Sequence, residues 1–382
     1  MSTLAARTPI TVAIAPDSFK GSLSAAEAAA AMAEGARAVF GPDAVIVECP
    51  MADGGEGTLE AILAVWGVPA RVLSTFDALG RPRQARVGVS ADGRTAVIEA
   101  AEANGLPAVM DVNLQPLRAD TFGVGILARD LLDEGVDEIL LCVGGSASTD
   151  GGTGLLTALG ARFRDREGRN VAAGGAGLAD IRSIDVSGLH TRARAVLWRV
   201  AVDVTNPLCG ARGAASVFGP QKGALPADVA LLDTGLATLC AVVRDATGID
   251  MLEEPGAGAA GGMPATLVPL LGAEMIPGST MVADAVGLAD RLAGADFVLT
   301  GEGRFDSQSL DGKVVEAVTR LSPPTTPVIV IAGSVGLSAE QTRAAGVAAA
   351  FSIANGPAML AELQEHAYHR VRDTAAQVCA LI

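Results

Sequence analysis

The chain has 382 residues, a length typical of about two domains and sufficient to bury a core without disulfides or a structural metal. Its formal net charge of -15 and its aromatic content of 3% argue against nucleic acid and anionic membrane surfaces as partners. Half of the residues are hydrophobic, yet no window approaches the roughly 18 uncharged apolar residues of a spanning helix, so no membrane is expected.

Cysteine and lysine usage bear on location and chemistry. The five cysteines show no pairing pattern and residues 1–16 do not read as a secretory signal, which predicts a cytoplasmic protein with buried free thiols. Only three basic residues are lysines, Lys20, Lys222 and Lys313, and 25 are arginines. Positions that keep lysine under such a bias are candidates for a compact point charge.

Short β-branched runs alternate along the chain with Gly- and Asp-rich segments and with Ala- and Leu-rich helical stretches. Predicted buried strands occupy residues 11–16, 45–50, 138–145, 196–204, 296–301, 327–334 and 348–353. Predicted helices begin near Ser24 and occupy 58–66, 153–160, about 227–247 and 313–321. The alternation predicts an α/β fold with largely parallel or mixed sheets. Ligands of such folds bind beyond the carboxyl ends of the strands, where the Gly-rich segments fall.

Residues 15–28 form the first candidate site. Ser24 and Glu27 have the spacing of a capping box, so a helix is expected to begin there. The amide groups at that helix start favour an anion, and Lys20 adds a positive charge. The turn is predicted to hold a phosphate or a carboxylate, with Asp17, Ser18 and Gly21 beside it. The alternative is a tight turn with a solvated lysine.

Two further Gly-rich loops carry polar groups. In residues 50–58, Asp53 and Glu56 flank Gly54 and Gly55, an arrangement that suits Mg²⁺ or a hydroxyl substrate. In residues 144–154, small hydroxyls and exposed amides are predicted to bind phosphate or sugar oxygens, with Ser146, Ser148 and Asp150 as the candidates. The alternatives are an acidic turn and a Gly-rich helix start.

The two remaining loops are longer and more densely charged. Residues 300–313 bring the acids Glu302 and Asp306 and the bases Arg304 and Lys313 directly after a predicted strand. Residues 202–224 offer Asp203, Asn206 and Lys222, and loops of that length are usually functional. Phosphoryl transfer needs these parts, because cations neutralise phosphate oxygens while carboxylates hold Mg²⁺ or orient the attacking hydroxyl.

Several familiar motifs are absent or lack their context. No Walker A sequence occurs, and GAGAAG at 256–261 follows no predicted strand, which argues against a dinucleotide site. The histidines and cysteines do not cluster as zinc ligands do. AGSVG at 332–336 leaves open a hydrolase with Ser334 as nucleophile and His366 or His369 as its base.

Taken in order, these motifs resemble the glycerate kinases of the bacterial class I family, which includes glycerate 2-kinases. The similarity extends from about residue 10 to residue 355. The matching segments are APDSFKGSLSA, PMADGGEGT, AVIEAAEANGLP, GGSASTDGGTG, DVTNPLCGARGAASVFGPQKGA, PGAGAAGG, TGEGRFDSQSLDGKV, IAGS and FSI.

The resemblance implies ATP-dependent phosphorylation of D-glycerate with Mg²⁺ and favours 2-phosphoglycerate as product. A 3-phosphoglycerate-forming enzyme, a kinase of another small hydroxy acid and a non-catalytic nucleotide- or metabolite-binding regulator stay open. The resemblance also implies two α/β domains, with the active site in the cleft between them. One is discontinuous and consists of residues 1–75 plus 290–382, and the second consists of residues 76–289. A homo-oligomer is left open.

The roles that we expect within such a site divide the candidates into three groups. The predicted catalytic residues are Asp53, Asp306, Lys20 and Arg304, and the predicted metal ligands are Glu56 and Glu302. The predicted substrate- or phosphate-binding residues are Asp17, Ser18, Gly21, Gly54, Gly55, Ser146, Ser148, Asp150, Asp203, Asn206, Lys222 and Lys313.

The chain departs from the family pattern in two places. Asp77, Ala78, Leu79 and Gly80 stand where the family usually has Asp-Pro-Leu-Gly. The segment 122–125, Phe-Gly-Val-Gly, replaces a Tyr-Gly-Thr-Gly-like sequence, so a threonine hydroxyl is lost at Val124.

Overall fold

The computed structural model describes residues 9–310 and 312–382, and the chain divides into two compact units. The first unit takes the chain up to Asp53 and adds Glu60–Gly67 and Ser279–Ile382. The second unit consists of Gly54–Leu59 and Val68–Gly278. The segment 1–8, which falls in the region predicted to lack a secretory signal, and Asp311 lie outside the described residues.

The elements of the described chain are as follows. The strands are β1 (Thr11–Ile14), β2 (Val45–Glu48), β3 (Arg71–Phe76), β4 (Pro82–Val89), β5 (Thr95–Glu99), β6 (Glu138–Cys142), β7 (Arg162–Arg164), β8 (Ser183–Asp185), β9 (Leu197–Ala201), β10 (Glu274–Ile276), β11 (Phe297–Phe305), β12 (Val328–Val335) and β13 (Ala349–Ser352). The α-helices are α1 (Ala25–Phe40), α2 (Thr58–Trp66), α3 (Ala100–Asn104), α4 (Phe122–Glu134), α5 (Thr153–Ala158), α6 (Ala214–Phe218), α7 (Pro226–Thr247), α8 (Pro264–Leu271), α9 (Gly278–Ala285), α10 (Leu288–Leu292), α11 (Val314–Leu321), α12 (Ala339–Ala344), α13 (Leu360–Glu365) and α14 (Ala367–Cys379).

The first unit is built on a five-stranded parallel sheet of order β13-β12-β11-β1-β2. Side chains of β12 alternate between two cores, as the period of a strand requires. Ile329 and Ile331 join the core that α1 and α14 cover, whereas Val330 and Ala332 join the one that contains Val315 of α11. Helices therefore cover both faces of this sheet.

The second unit is built on a mixed six-stranded sheet of order β10-β9-β6-β5-β4-β3. The pairs from β10 to β5 are parallel, and β4 and β3 add an antiparallel hairpin at one edge. A separate antiparallel pair, β7 and β8, belongs to the same unit. Parallel and mixed sheets thus confirm the predicted α/β class.

Local sequence accounts for the start of α1. The Ser24 hydroxyl accepts a hydrogen bond from Glu27 N at 3.2 Å, and the Glu27 carboxylate accepts one from Ser24 N at 2.8 Å. This capping box confirms the predicted helix start, because both exchanged bonds satisfy amide groups that the helix leaves unpaired. The helices predicted at 58–66 and about 227–247 are likewise confirmed.

Strand β11 is longer than expected. Residues 302–305 were predicted to open a loop, and this is wrong, because Glu302, Arg304 and Phe305 continue the pairing with β12. Phe305 is fully buried and fixes the end of the strand in the core. Burial of the Phe305 side chain in the sheet is favourable, whereas a solvated loop would expose this side chain to water.

Two expectations from composition need qualification. Among the described residues, α7 is long and apolar enough to cross a membrane by length and composition alone, although it contains Asp228 and Asp233 and buries Leu232, Leu236 and Leu239 in the second unit's core. All five cysteines are free thiols, as predicted, but Cys209 is half-buried whereas the other four are buried.

Candidate active site

The first unit places two carboxylates where its strand order reverses. The chain leaves β1 toward β2 on one side and leaves β11 toward β12 on the other, so β1 and β11 flank the switch point. Asp17 N donates a hydrogen bond to Gly301 O at 2.8 Å, which sets Asp17, beyond the carboxyl end of β1, beside Glu302 in the last half of β11. Ligands of parallel α/β sheets bind at this position.

The surroundings of Asp17 and Glu302 disfavour the charged forms of both carboxyl groups. Burial raises the pKa of Asp17 to about 7, with further repulsion from Asp53 and Glu302, while the Ser18 amide and Lys313 act in the opposite direction. Burial also raises the pKa of Glu302, which is only 9% exposed, and its Oε1 has no hydrogen-bond partner among the described residues. Such a cluster favours either a proton or a bound cation.

The chemistry of these oxygens fits Mg²⁺, although no preformed cage is present. Among residues 9–310 and 312–382, no group of three or more His, Cys, Asp or Glu side chains converges as a metal site. Mg²⁺ usually takes one or two carboxylates and completes its shell with water and substrate phosphates. The unpaired Oε1 of Glu302 meets that requirement, whereas Glu56 is exposed in the second unit.

The predicted cations of the first unit differ in their surroundings. Lys20 is exposed in a tight turn closed by bonds between Phe19 and Leu23, and no described residue forms a salt bridge with it. Gly21 follows with φ +80°, a conformation that glycine adopts without strain. Lys313 is half-buried and is close enough to Asp17 and Glu302 to lower the pKa of both carboxyl groups.

The predicted catalytic pair Arg304 and Asp306 lies at the end of β11. Arg304 Nε forms a 2.8 Å salt bridge with Asp306 Oδ2, and the Arg304 side chain is 75% exposed. The other Asp306 oxygen accepts from Gln308 N at 2.9 Å and so shapes the turn that follows. Arg304 and Asp306 therefore neutralise each other in part.

The second unit gathers its own candidates at the carboxyl ends of β6 and β9. Gly54 has φ +88°, and a Cβ atom there would lie 2.8 Å from Ala201 Cβ and 2.8 Å from Gly278 Cα. Gly55 passes close to Gly144 in the same way. Glycine is needed because these backbones approach one another closely. Buried Glu99 holds this turn by accepting a bond from Leu59 N at 2.7 Å, a role that no motif revealed.

The 146–150 loop is stabilised from within. Asp150 is fully buried, and its two oxygens accept bonds from Ser148, Gly152, Gly154 and Thr121. Protein donors occupy the Asp150 carboxylate and Ser148 is buried against it, and the ligand contacts expected of these two residues stay predictions. Both residues hold the loop at the start of α5.

Lys222 is also an internal residue. It is 3% exposed, and its ammonium donates to Ser148 O at 2.5 Å and to Ser146 Oγ at 3.1 Å. Burial lowers the pKa of Lys222 to about 8, and Asp150 acts in the opposite direction. Lys222 therefore holds the same loop together with Ser146, and a ligand contact for either residue stays a prediction.

Asp203 and Asn206 follow β9 and tie neighbouring loops together. Asp203 Oδ1 accepts from Gly278 N at 2.8 Å, and Asn206 Nδ2 donates to Arg212 O at 2.7 Å. Asp203 is exposed, so it combines a fixed orientation with access to solvent.

The two departures from the family pattern are accommodated by the second unit. Asp77 accepts bonds from Leu79 N and Arg81 N, both at 2.9 Å, so its turn is held without proline. Val124 is fully buried in the hydrophobic core. A threonine hydroxyl at this position would be buried in that core.

The hydrolase alternative fails on geometry. Ser334 lies within β12, paired with Arg304, and not on a sharp strand-to-helix turn. A nucleophile elbow requires that turn to expose the serine oxygen.

Comparison with known proteins covers almost the whole chain. A family model described as the glycerate kinase family matches residues 12–382. The glycerate 2-kinase of Escherichia coli K12 is 41% identical over 372 residues, covering 97% of each chain, and the glycerate kinase of Bacillus subtilis 168 is 41% identical over 374 residues with the same coverage. A crystal structure attributed to glycerate kinase 2 from Salmonella typhimurium LT2 superposes with a TM-score of 0.88 at 44% identity, covering 98% of each chain.

Proposed function

Because this chain belongs to the glycerate kinase family, we propose that it transfers the γ-phosphoryl group of ATP to D-glycerate, forming ADP and 2-phosphoglycerate. The observation that carries this proposal is similarity over 97% of the chain to a relative named glycerate 2-kinase. That relative also favours the 2-position over the 3-position and glycerate over other hydroxy acids.

The proposed chemistry assigns the proton to Asp17. A carboxyl group with a pKa near 7 accepts a proton at neutral pH and releases it again, as a general base must. The glycerate hydroxyl gives its proton to Asp17 as its oxygen bonds to the γ-phosphorus, and the bond between that phosphorus and the bridging oxygen breaks to release ADP. Catalytic roles for Asp53 and Asp306 stay predictions.

Charge neutralisation is the second requirement. We propose that Lys313 and Lys20 bind the phosphate oxygens. A role for Arg304 stays a prediction, because Asp306 already neutralises part of its charge. Mg²⁺ supplies further neutralisation of the phosphates when bound. Glu302 Oε1 is the oxygen that we propose for it, and Glu56 stays a predicted ligand.

The proposed setting follows from the substrates. An enzyme that consumes ATP is expected in the cytoplasm, and the net charge of -15 supports small-molecule partners over nucleic acid. A homo-oligomer, an active site between the two predicted domains and the absence of a membrane partner stay predictions.

A coupled assay tests the activity and the position of transfer. The full chain is mixed with Mg²⁺, ATP and D-glycerate, and enolase is added with or without phosphoglycerate mutase. Phosphoenolpyruvate formed with enolase alone is the expected result, because enolase acts on 2-phosphoglycerate. A requirement for the mutase would establish 3-phosphoglycerate as the product.

Controls with tartronate, lactate and glycerol in place of glycerate test the acceptor. ADP formed with one of these but not with D-glycerate would reassign the substrate. No ADP with any acceptor would overturn the kinase proposal.

A further inference from the structure

A groove of about 510 Å³ lies between α11 and α12 of the first unit, on the face of the sheet opposite α1. Ligand pockets commonly have about 300–1,000 Å³, so the groove is large enough for a nucleoside. We propose that it binds the nucleoside of ATP, an inference that rests on the proposed kinase activity.

The apolar part of the groove suits a flat base. Leu310 and Leu337 stand at the end nearest the carboxyl edge of the sheet, and Ala344 and Ala345 line the α12 side. With 3% aromatic residues in the chain, an aliphatic slot is the expected way to enclose a purine without ring stacking. Small alanine side chains leave the width that a ring needs.

The polar groups of the groove complement a nucleoside. Gln341 Oε1 accepts from Ser338 N at 2.9 Å, which fixes the carboxamide, and no described residue accepts from its Nε2. That nitrogen is available to a ring nitrogen of the base. Glu316 accepts from Arg320 Nε at 3.2 Å through one oxygen only, and a carboxylate is the usual partner of ribose hydroxyls.

The groove is next to the candidate catalytic residues along the chain. The 3₁₀ turn Ser307–Leu310, which contributes two of its lining residues, begins immediately after Asp306. Lys313 is the N-cap of α11, where a positive charge and free amide groups favour phosphate. Because Lys313 also acts on Asp17 and Glu302, a nucleoside in the groove directs its phosphates along this segment toward the switch point.

The test is to fill the groove in the full-length protein. Ala344→Phe places a ring on the α12 side, and Ala339→Phe makes the same change at an exposed position of α12 outside the groove. The Kd values of ADP and of inorganic tripolyphosphate are measured by calorimetry, together with KM for ATP and for D-glycerate. Gln341→Glu is a second variant that keeps the cap of α12, because a carboxylate oxygen still accepts from Ser338 N.

Ala344→Phe is expected to weaken ADP binding and raise KM for ATP by about tenfold or more, whereas tripolyphosphate binding, KM for glycerate and kcat stay within about twofold. Ala339→Phe is expected to resemble the wild type. Unchanged ADP affinity in folded Ala344→Phe and Gln341→Glu, or equal losses for ADP and tripolyphosphate, would overturn the groove assignment. If the wild type binds ADP but phosphorylates no glycerate, the proposed function fails while the ADP measurements still test the groove.

Discussion

Glu302 illustrates how a single residue trades stability for chemistry. It lies on a strand with one oxygen that no described residue hydrogen-bonds, and burial raises its pKa. A buried, incompletely paired carboxylate destabilises a fold. Residues kept at such a cost are typical of functional sites.

Glu302→Gln is therefore expected to lower kcat by at least about a hundredfold and to raise the free energy of unfolding at neutral pH. The amide preserves the size of the side chain but removes the desolvated charge. The measurements are steady-state kinetics and urea unfolding, with exposed Glu365→Gln as the matched control. A variant that loses stability together with activity would indicate a structural role instead.

The difference in the free energy of unfolding between Glu302→Gln and the wild type is expected to depend on pH. Because the folded-state pKa of Glu302 lies above its unfolded value, the folded chain holds the proton more tightly. The stability of the wild type then falls as pH rises from the unfolded pKa to the folded one. The advantage of Glu302→Gln is expected to shrink at acidic pH, where the wild-type carboxyl is protonated in both states.

Residue type and spacing identified most of the polar positions near the two sheet edges, but not which way their side chains face. Lys20 and Lys222 both lie in Gly-rich turns, yet one is exposed and the other is 3% exposed. Burial depends on segments far away in the chain, since Lys222 bonds Ser146 and Ser148. Gln341 and Glu316 belong to helices with no recognisable motif, so the groove was not predicted at all.

At the scale of elements, α1 and α14 pack against each other in the first unit. A Cβ atom on Gly35 would lie 2.4 Å from Arg372 O and 2.8 Å from Ala376 N. The absence of a side chain at Gly35 lets the two helix backbones approach this closely.

Gly35→Ala is expected to lower the free energy of unfolding by about 1–3 kcal/mol, because a methyl group there forces the helices apart. The intrinsic helix preference for alanine, about 1 kcal/mol, opposes this loss but does not cancel it. Gly294→Ala, where no atom lies within 4 Å of the added carbon, is the control and is expected to change stability by less than about 0.5 kcal/mol. Equal unfolding midpoints for both variants would contradict the close packing of α1 and α14.

The helices and strands that could be predicted are those whose own sequence carries a recognisable pattern. The start of α1 follows from its capping box and the buried strands follow from their apolar runs. The extension of β11 to Phe305 was missed because Gly and charged residues interrupt the run, and only pairing with β12 keeps them in the sheet. Pairing is a tertiary effect that periodicity within one segment does not report.

At the scale of the whole molecule, one continuous stretch of chain supplies every strand of the second unit's main sheet. Strands β3 to β10 all fall within residues 68–278, together with the core around Trp198. Trp198 is fully buried and is the only tryptophan of that segment, since the other is Trp66.

A fragment of residues 68–278 is therefore expected to unfold cooperatively, with the blue-shifted fluorescence of a buried tryptophan. A fragment with the boundaries predicted from the sequence, residues 76–289, is the comparison. It loses all of β3 except Phe76, which makes β4 the edge strand of the sheet. It is expected to melt at a lower temperature. Solvent-exposed emission from the 68–278 fragment would show that this unit does not fold alone.

The pairing of β1 with β11 has a consequence for synthesis on the ribosome. The two strands are about 285 residues apart, so at roughly 5–20 residues per second β11 emerges on the order of 15–60 s after β1. During that interval one side of β1 has no partner strand. Gly54 and Gly278, where the chain enters and leaves the second unit, lie against each other. Once the second unit has folded, this close approach shortens the effective loop between β1 and β11, so we expect the folded second unit to lower the entropy cost of pairing the two strands.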